Sequence, residues 1–436
     1  MSDQKFLTCK DLESSLYIAP NEVRACCQRF FYEGKMRGDA NLLEIQDGKT
    51  PTAKDIKEAR QKLFEQIQIK KSNSCTGCPF LYEVKEKPKL DSKINHLSIE
   101  HHSVCNLRCT YCSEIYYGGK RSKYNVVEFI KYLNDSESLK HCKQVVWGGG
   151  EPTLDKSFEQ IVKEIDKYAN PEIYHRVFTN SVRYHQSIVD FLKKGLIKIV
   201  TSIDAGTRET FKSVRGRDKF QDVFENLKKY SSIDPNKVTI KYILTNGNDT
   251  ESEIENFVEN CIKNNLINCA YQISMNYKYS DLNLDMLKKI SYLMGLLKNN
   301  NINKIFCDDH IALRFKKIST EEKTNLIKFL KLKNIDNVII NSLKIKKLNI
   351  YGIGDIATNF LNKSTEIKQF DEINLYDSDP KKIGSKIMNL TINDPKKIDK
   401  NSHKIFISTA QSYDDIYQNL INMKIAPSRI VSGLLI

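Results

Sequence analysis

Between Leu90 and Tyr279 short apolar runs alternate with longer amphipathic stretches, and this alternation limits the fold more than any other feature of the chain. The runs "HLSIEH", "QVVWGGG", "YHRVFTN", "IKIVTSID", "VTIKYILT" and "CAYQISMNY" read as six strands. Between them lie helical stretches such as "NVVEFIKYLND", "SFEQIVKEIDKYA", "SIVDFLKKG", "KFQDVFENLKKYSS" and "ESEIENFVENCIKNN". A chain that passes through a helix after each strand builds βα units and a parallel sheet. Six units are too few for a closed eight-stranded barrel and suit a partial (β/α)6 one.

The chain's 436 residues allow two or three domains. Residues 1–90 form a cysteine-bearing segment with a helix at "TAKDIKEARQKLFEQIQIKK", 91–280 the core barrel, and 281–346 helices and connections. Residues 347–436 restart an α/β pattern with "LNIYGIGDIATNFLNK", "EINLYDSDP", "HKIFISTA", "YDDIYQNLINM" and "RIVSGLLI". The formal charge of +14 is mostly lysine spread along the chain, so it favours solubility over a nucleic-acid surface. No run of eighteen apolar residues exists, so no membrane span is expected. The start "MSDQKFLTCKDLESS" lacks an apolar signal region, and a cytoplasmic location is expected. There the twelve cysteines stay reduced and read as ligands or core filler.

Three of those cysteines crowd into "HHSVCNLRCTYC", directly after the first strand of the barrel. Parallel α/β folds bind ligands at that carboxyl edge. A structural zinc site usually needs four protein ligands. Three thiolates instead suit a [4Fe–4S] cluster with one iron left open. Unligated thiols are the third reading. His101 and His102 sit beside the loop, where they either line a pocket or are simply hydrogen-bonded.

"CNLRCTYC" resembles the cluster loop of the radical S-adenosylmethionine (radical SAM) enzymes: Cys105-x3-Cys109-x2-Cys112, with the aromatic Tyr111 before the last cysteine. The resemblance extends over residues 94–279. "VVWGGGEPTL" matches the family's GGEP motif, in which Gly148, Gly149 and Gly150 let backbone approach the methionine amino group and Glu151 supports that site. Asn180, Ser202, Asp204 and Arg215 fall where family members bind the ribose and carboxylate of the cofactor, although polar residues at strand ends also cap helices. The resemblance implies reductive cleavage of S-adenosylmethionine at the cluster, a 5′-deoxyadenosyl radical, and hydrogen abstraction from a peptide or sugar-type substrate. It further implies a one-electron donor such as flavodoxin or ferredoxin. Competing readings are a radical SAM enzyme that modifies RNA and a non-catalytic metal-thiolate protein that binds RNA.

Upstream, Cys9, Cys26, Cys27, Cys75 and Cys78 follow an order that resembles a SPASM-like auxiliary [4Fe–4S] module, placed before the barrel. The implied ligands are Cys9, Cys27, Cys75 and Cys78, with Cys26 able to replace Cys27; zinc or no metal are the alternatives. Cys142, Cys261 and Cys269 read as packing residues, and Cys307 neighbours Asp308, Asp309 and His310. "IYGIGDIATNF" places Gly352, Gly354 and Ala357 at a strand-to-helix turn, and Asp377 ends the next strand. This resembles a small Rossmann-like domain, for nucleotide-linked substrates or for docking. The expected fold class is therefore α/β: a partial (β/α)6 TIM-like barrel flanked by an N-terminal cysteine-rich module and a C-terminal Rossmann-like domain.

Overall fold

The computed structural model describes residues 5–46, 48–69, 73–167, 173–308, 311, 314–315, 318–335, 338, 346–363, 367, 370–399, 403–410 and 412–431. The chain divides into two compact units, Met1–Thr201 with Arg215–Arg217, and Ser202–Val214 with Asp218–Ile436. Among the described residues no helix is long and apolar enough to cross a membrane.

The first unit begins with β1 (Phe6–Thr8), α1 (Lys10–Ser14), β2 (Ser15–Ile18), β3 (Glu22–Arg24), β4 (Arg29–Tyr32), β5 (Lys35–Gly38), β6 (Asn41–Glu44), α2 (Ala53–Gln68) and β7 (Tyr82–Val84). It continues through β8 (His96–Ile99), α3 (Glu114–Tyr117), α4 (Val126–Asp135), β9 (Gln144–Trp147), α5 (Phe158–Asp166), β10 (Tyr174–Phe178), α6 (Gln186–Lys193) and β11 (Ile197–Ser202, whose last residue belongs to the second unit). As the alternation requires, β8, β9, β10 and β11 pair in parallel in chain order. The N-terminal segment holds strands that its sequence did not announce. β2 pairs parallel to β8, and β3 and β6 follow antiparallel beyond it, so this segment extends the same sheet.

Helix α2 opens with a capping box, Thr52 and Asp55 exchanging side-chain-to-backbone bonds. It buries Ile56, Arg60, Leu63, Phe64 and Ile67 at helical spacing. Arg60 is fully buried and donates to the Asp91, Lys93 and Ser15 carbonyls at 2.6, 3.0 and 2.8 Å. It thereby fastens the start of β2 to the strap leading into β8. Arg60→Met is expected to cost about 2–3 kcal/mol, because the hydrogen bonds of a charged donor are lost. Thermal unfolding followed by circular dichroism checks this as a lowered midpoint.

The second unit holds α7 (Arg208–Arg215, whose last residue belongs to the first unit), α8 (Phe220–Ser231), β12 (Val238–Leu244), α9 (Glu251–Lys263), β13 (Ala270–Met275), α10 (Leu284–Asn299), β14 (Ile305–Cys307) and α11 (Thr320–Leu332). β12, β13 and β14 pair in parallel. β14 lies in the stretch read as helices and connections, because three residues give no periodicity to detect.

The chain ends with β15 (Lys347–Tyr351), α12 (Asp355–Lys363), β16 (Glu372–Tyr376), β17 (Lys386–Ile387), β18 (Leu390–Asn393), β19 (Lys404–Ile407), α13 (Tyr413–Asn422) and β20 (Ile430–Val431). The sheet order is β17-β18-β16-β15-β19-β20. From β15 the sheet grows one way through β16 and β18, then the other way through β19 and β20, which makes a topological switch point. β15 alternates faces. Leu348 and Ile350 pack with Phe360 and Leu361 of α12, while Tyr351 joins Tyr413 and Leu420 of α13. Each face of this sheet thus carries its own helix.

Candidate active site

Cys105, Cys109 and Cys112 lie in the loop that leaves the carboxyl end of β8, each partly buried and none in a disulfide. The Cys112 N–H donates to the Cys109 carbonyl at 3.0 Å, which closes the turn between them. The loop rests on residues 215–216. The Arg108 N–H donates to the Arg215 carbonyl at 3.0 Å, and a Cβ on Gly216 would lie 2.6 Å from the Arg108 carbonyl oxygen. The Arg215 guanidinium lies over the Tyr111 ring at 5.8 Å and donates to its hydroxyl. Arg215 and Tyr111 thus hold the loop together.

Burial pushes the Cys105 thiol up, the Leu107 N–H works against that, and the nearby Glu151 charge adds to it. Burial also lifts Cys112, to about 11. The Arg215 charge opposes the shift at both sulfurs and favours the thiolates that a metal needs.

Glu151 is the junction of the site. Its buried carboxylate accepts from the Thr153 N–H at 3.3 Å, the Thr153 and Thr179 hydroxyls at 2.7 Å, and the Asn180 N–H at 2.6 Å. The Asn180 amide then donates to Asn106 Oδ1 at 2.6 Å and reaches Cys105 Sγ at 3.8 Å. The Glu151 carboxylate thereby links the loops after β9 and β10, and the Asn180 amide joins the loop after β8 to them. The glycines serve close approach: a Cβ on Gly148 would meet Glu100 Oε1 at 2.8 Å, and one on Gly150 would meet the Val104 carbonyl oxygen at 2.3 Å. Gly149 has φ +81°, which glycine adopts at little cost.

The Radical SAM superfamily profile matches residues 99–261, the stretch that contains this junction. The chain carries a radical SAM domain. Members of that family bind S-adenosylmethionine at a [4Fe–4S] cluster. The chain is 32% identical over 154 residues to the GTP 3′,8-cyclase of Haemophilus influenzae (strain PittEE), covering 34% of this chain and 45% of that protein. It is 25% identical over 168 residues to the GTP 3′,8-cyclase of Clostridium botulinum (strain Hall), covering 38% and 52%. The chain thus spans about half the length of these curated relatives. Among solved structures it is similar to Streptococcus suis SuiB bound to S-adenosylmethionine, at 14% identity and a TM-score of 0.43, over 62% of this chain and 59% of that one.

The other residues matched to the family's cofactor site lie in the second unit. Ser202 is half-buried at the end of β11. Asp204 is fully buried with φ +57°, accepts from the Ile243 N–H at 2.7 Å, and gives its carbonyl to Asn248 at 3.0 Å. It holds the β12 backbone. At the entry to α7, Glu253 accepts from the Gly206 and Thr207 N–H groups at 2.7 and 3.2 Å.

Ahead of the radical SAM domain, Cys9, Cys26 and Cys75 pack against one apolar cluster that includes Leu12, Phe64 and Leu90. Cys26 and Cys78 both lie near enough to Cys9 and Cys75 to raise the cost of ionising either thiol. Cys78 follows Cys75 through a turn closed by a 3.0 Å backbone bond, and Gly77 within it lies against the Tyr32 ring. The structure therefore groups Cys26 with Cys9, Cys75 and Cys78, while Cys27 is exposed.

Cys142, Cys261 and Cys269 are buried, in keeping with packing roles. Cys307 approaches Met294 Sδ at 3.7 Å; Asp309 and His310 lie outside the described residues. In the C-terminal sheet Asp377 accepts from the Ile353 N–H at 2.8 Å and from Lys382 Nζ at 2.9 Å, so its carboxylate braces the glycine turn after β15.

Sequence reasoning missed Glu100, although a lone acid after an apolar strand was there to be noticed. Glu100 follows β8, lies against Gly148 and Gly149, and accepts from the Tyr17 hydroxyl. Burial pushes its carboxyl up to about 8. A raised carboxyl pKa stabilises the fold below the ordinary carboxyl range, and that contribution is lost as pH rises through about 8. Glu100→Gln is expected to lose less stability than wild type between pH 5 and pH 9. Urea midpoints measured across that range check it.

Proposed function

We propose that the chain is a radical SAM enzyme whose Cys105, Cys109 and Cys112 hold the [4Fe–4S] cluster and which removes a hydrogen atom from a peptide or sugar-type substrate. The Glu151–Asn180–Cys105 linkage is the observation that carries this reading. It joins the cysteine loop to the GGEP loop, and a metal-thiolate protein that merely binds RNA has no need of such a junction. When bound, the cluster supplies the electron that cleaves S-adenosylmethionine, and the adenosyl fragment takes hydrogen from the substrate.

The chain's own residues fit that group. Three thiols share one loop, the Arg215 charge favours their thiolates, and the Asn180 amide donates toward Cys105. Gly148, Gly149 and Gly150 bring backbone close, and Glu151 fixes their exit, which suits the methionine end of the cofactor.

Cys9, Cys26, Cys75 and Cys78 are the proposed ligands of a second cluster, which binds substrate or takes an electron from it in a net oxidation. That module favours a peptide substrate, whereas the C-terminal sheet favours a sugar-type one. The GTP 3′,8-cyclase likeness covers about a third of this chain and speaks for the chemistry shared by the domain, not for GTP. Anaerobic incubation with S-adenosylmethionine and dithionite tests the reading. 5′-Deoxyadenosine and methionine are expected in equal amounts, and an iron-loaded protein that releases neither would overturn it.

A further inference from the structure

We propose that His101, His102 and Asp155 bind one divalent first-row transition ion, which fastens the segment after β8 to the loop after β9. Taking one ligand atom from each side chain, all three atoms lie within 4.8 Å of one another. His101 and His102 are 5% and 4% exposed, and the Asp155 side chain is 12% exposed. His101 Nε2 stands 2.8 Å from Asp155 Oδ2. Two ligands held at about 2.1 Å by one ion are about 3 Å apart when they subtend a right angle, so this pair is already at coordination spacing. The two imidazoles meet edge to face with centroids 4.9 Å apart.

A hydrogen bond between His101 and Asp155 leaves part of the cluster unexplained. The Val104 N–H reaches His102 Nδ1 at 3.2 Å, a long contact that an ion there would displace. Two imidazoles and one carboxylate suit Zn²⁺, Fe²⁺ or Co²⁺ better than the oxygen-seeking Mg²⁺ or Ca²⁺.

An ion would also reinforce an existing seam, because the Gly150 N–H already donates to the His102 carbonyl at 2.9 Å and the Glu151 N–H to the Val104 carbonyl at 2.8 Å. The site makes no use of the cysteines, so it stands independently of the cluster assignment.

Zn²⁺ is the probe. Full-length wild type, His101→Gln and Asp155→Asn are reconstituted with iron and sulfide under anaerobic conditions, exposed to excess Zn²⁺, desalted, and analysed for both metals. Both variants keep side-chain volume and a hydrogen bond, and thermal unfolding followed by circular dichroism reports that each is folded. The wild type is expected to retain about one zinc per chain more than either variant, at equal iron. That difference is read whether or not iron loads, because zinc taken up by cysteines is common to all three. Equal zinc in all three proteins, or none in any, would overturn the site and leave the trio as a hydrogen-bonded brace.

Discussion

Glu151→Ala is expected to destabilise the first unit by about 3–5 kcal/mol, because buried donors are left without an acceptor. The Asn180 N–H loses its acceptor at 2.6 Å, and the Thr153 and Thr179 hydroxyls lose theirs at 2.7 Å. The effect does not stop at stability. Asn180 also reaches Cys105 and Asn106, so a shift of its backbone moves one wall of the cysteine loop. Cluster retention during desalting is therefore expected to fall along with the unfolding midpoint. Glu151→Asp separates the two contributions. It keeps the charge but withdraws it by one methylene, and it should recover part of the stability with less of the cluster retention. Urea unfolding and iron analysis on the same samples check both.

The second large effect concerns the N-terminal thiols. Cys26→Ser is expected to remove about four irons per chain, one whole cluster, while Cys27→Ser leaves the count unchanged. The two residues are adjacent, so sequence context alone treats them alike. The fold separates them: Cys26 packs on the Leu12–Phe64–Leu90 cluster among the other thiols, and Cys27 is exposed. The reverse pattern would return Cys27 to the ligand set, and no change in either variant would remove the second cluster altogether.

The parts of this molecule legible in its sequence are those with periodicity or fixed spacing. The six expected strands reappear as β8 through β13, because alternating strands and helices leave two distinct hydrophobic periods. Cys105, Cys109 and Cys112, followed one unit later by Gly-Gly-Glu-Pro, marked the site in the same way. What escaped was set by contacts distant in sequence. β2, β3 and β6 are three or four residues long and gain their place from pairing with one another and with β8. Arg215 and Tyr111 are 104 residues apart, and only the fold shows that they hold each other. Asp204, matched to the family's cofactor site, also accepts from the β12 backbone through its carboxylate, a contact that residue order does not show. Glu100 gave one signal, an acid after an apolar strand, and its burial against two glycines could not be read from residue order.

In the proposed function, cleavage of S-adenosylmethionine depends on a cluster held by Cys105, Cys109 and Cys112. The most direct test of that dependence compares wild type with the Cys105→Ala, Cys109→Ala, Cys112→Ala triple variant after anaerobic reconstitution. Iron per chain and reductant-dependent release of 5′-deoxyadenosine are measured on the same samples. A fall from about eight irons to about four, with release abolished, is expected. A triple variant that still releases 5′-deoxyadenosine would contradict it.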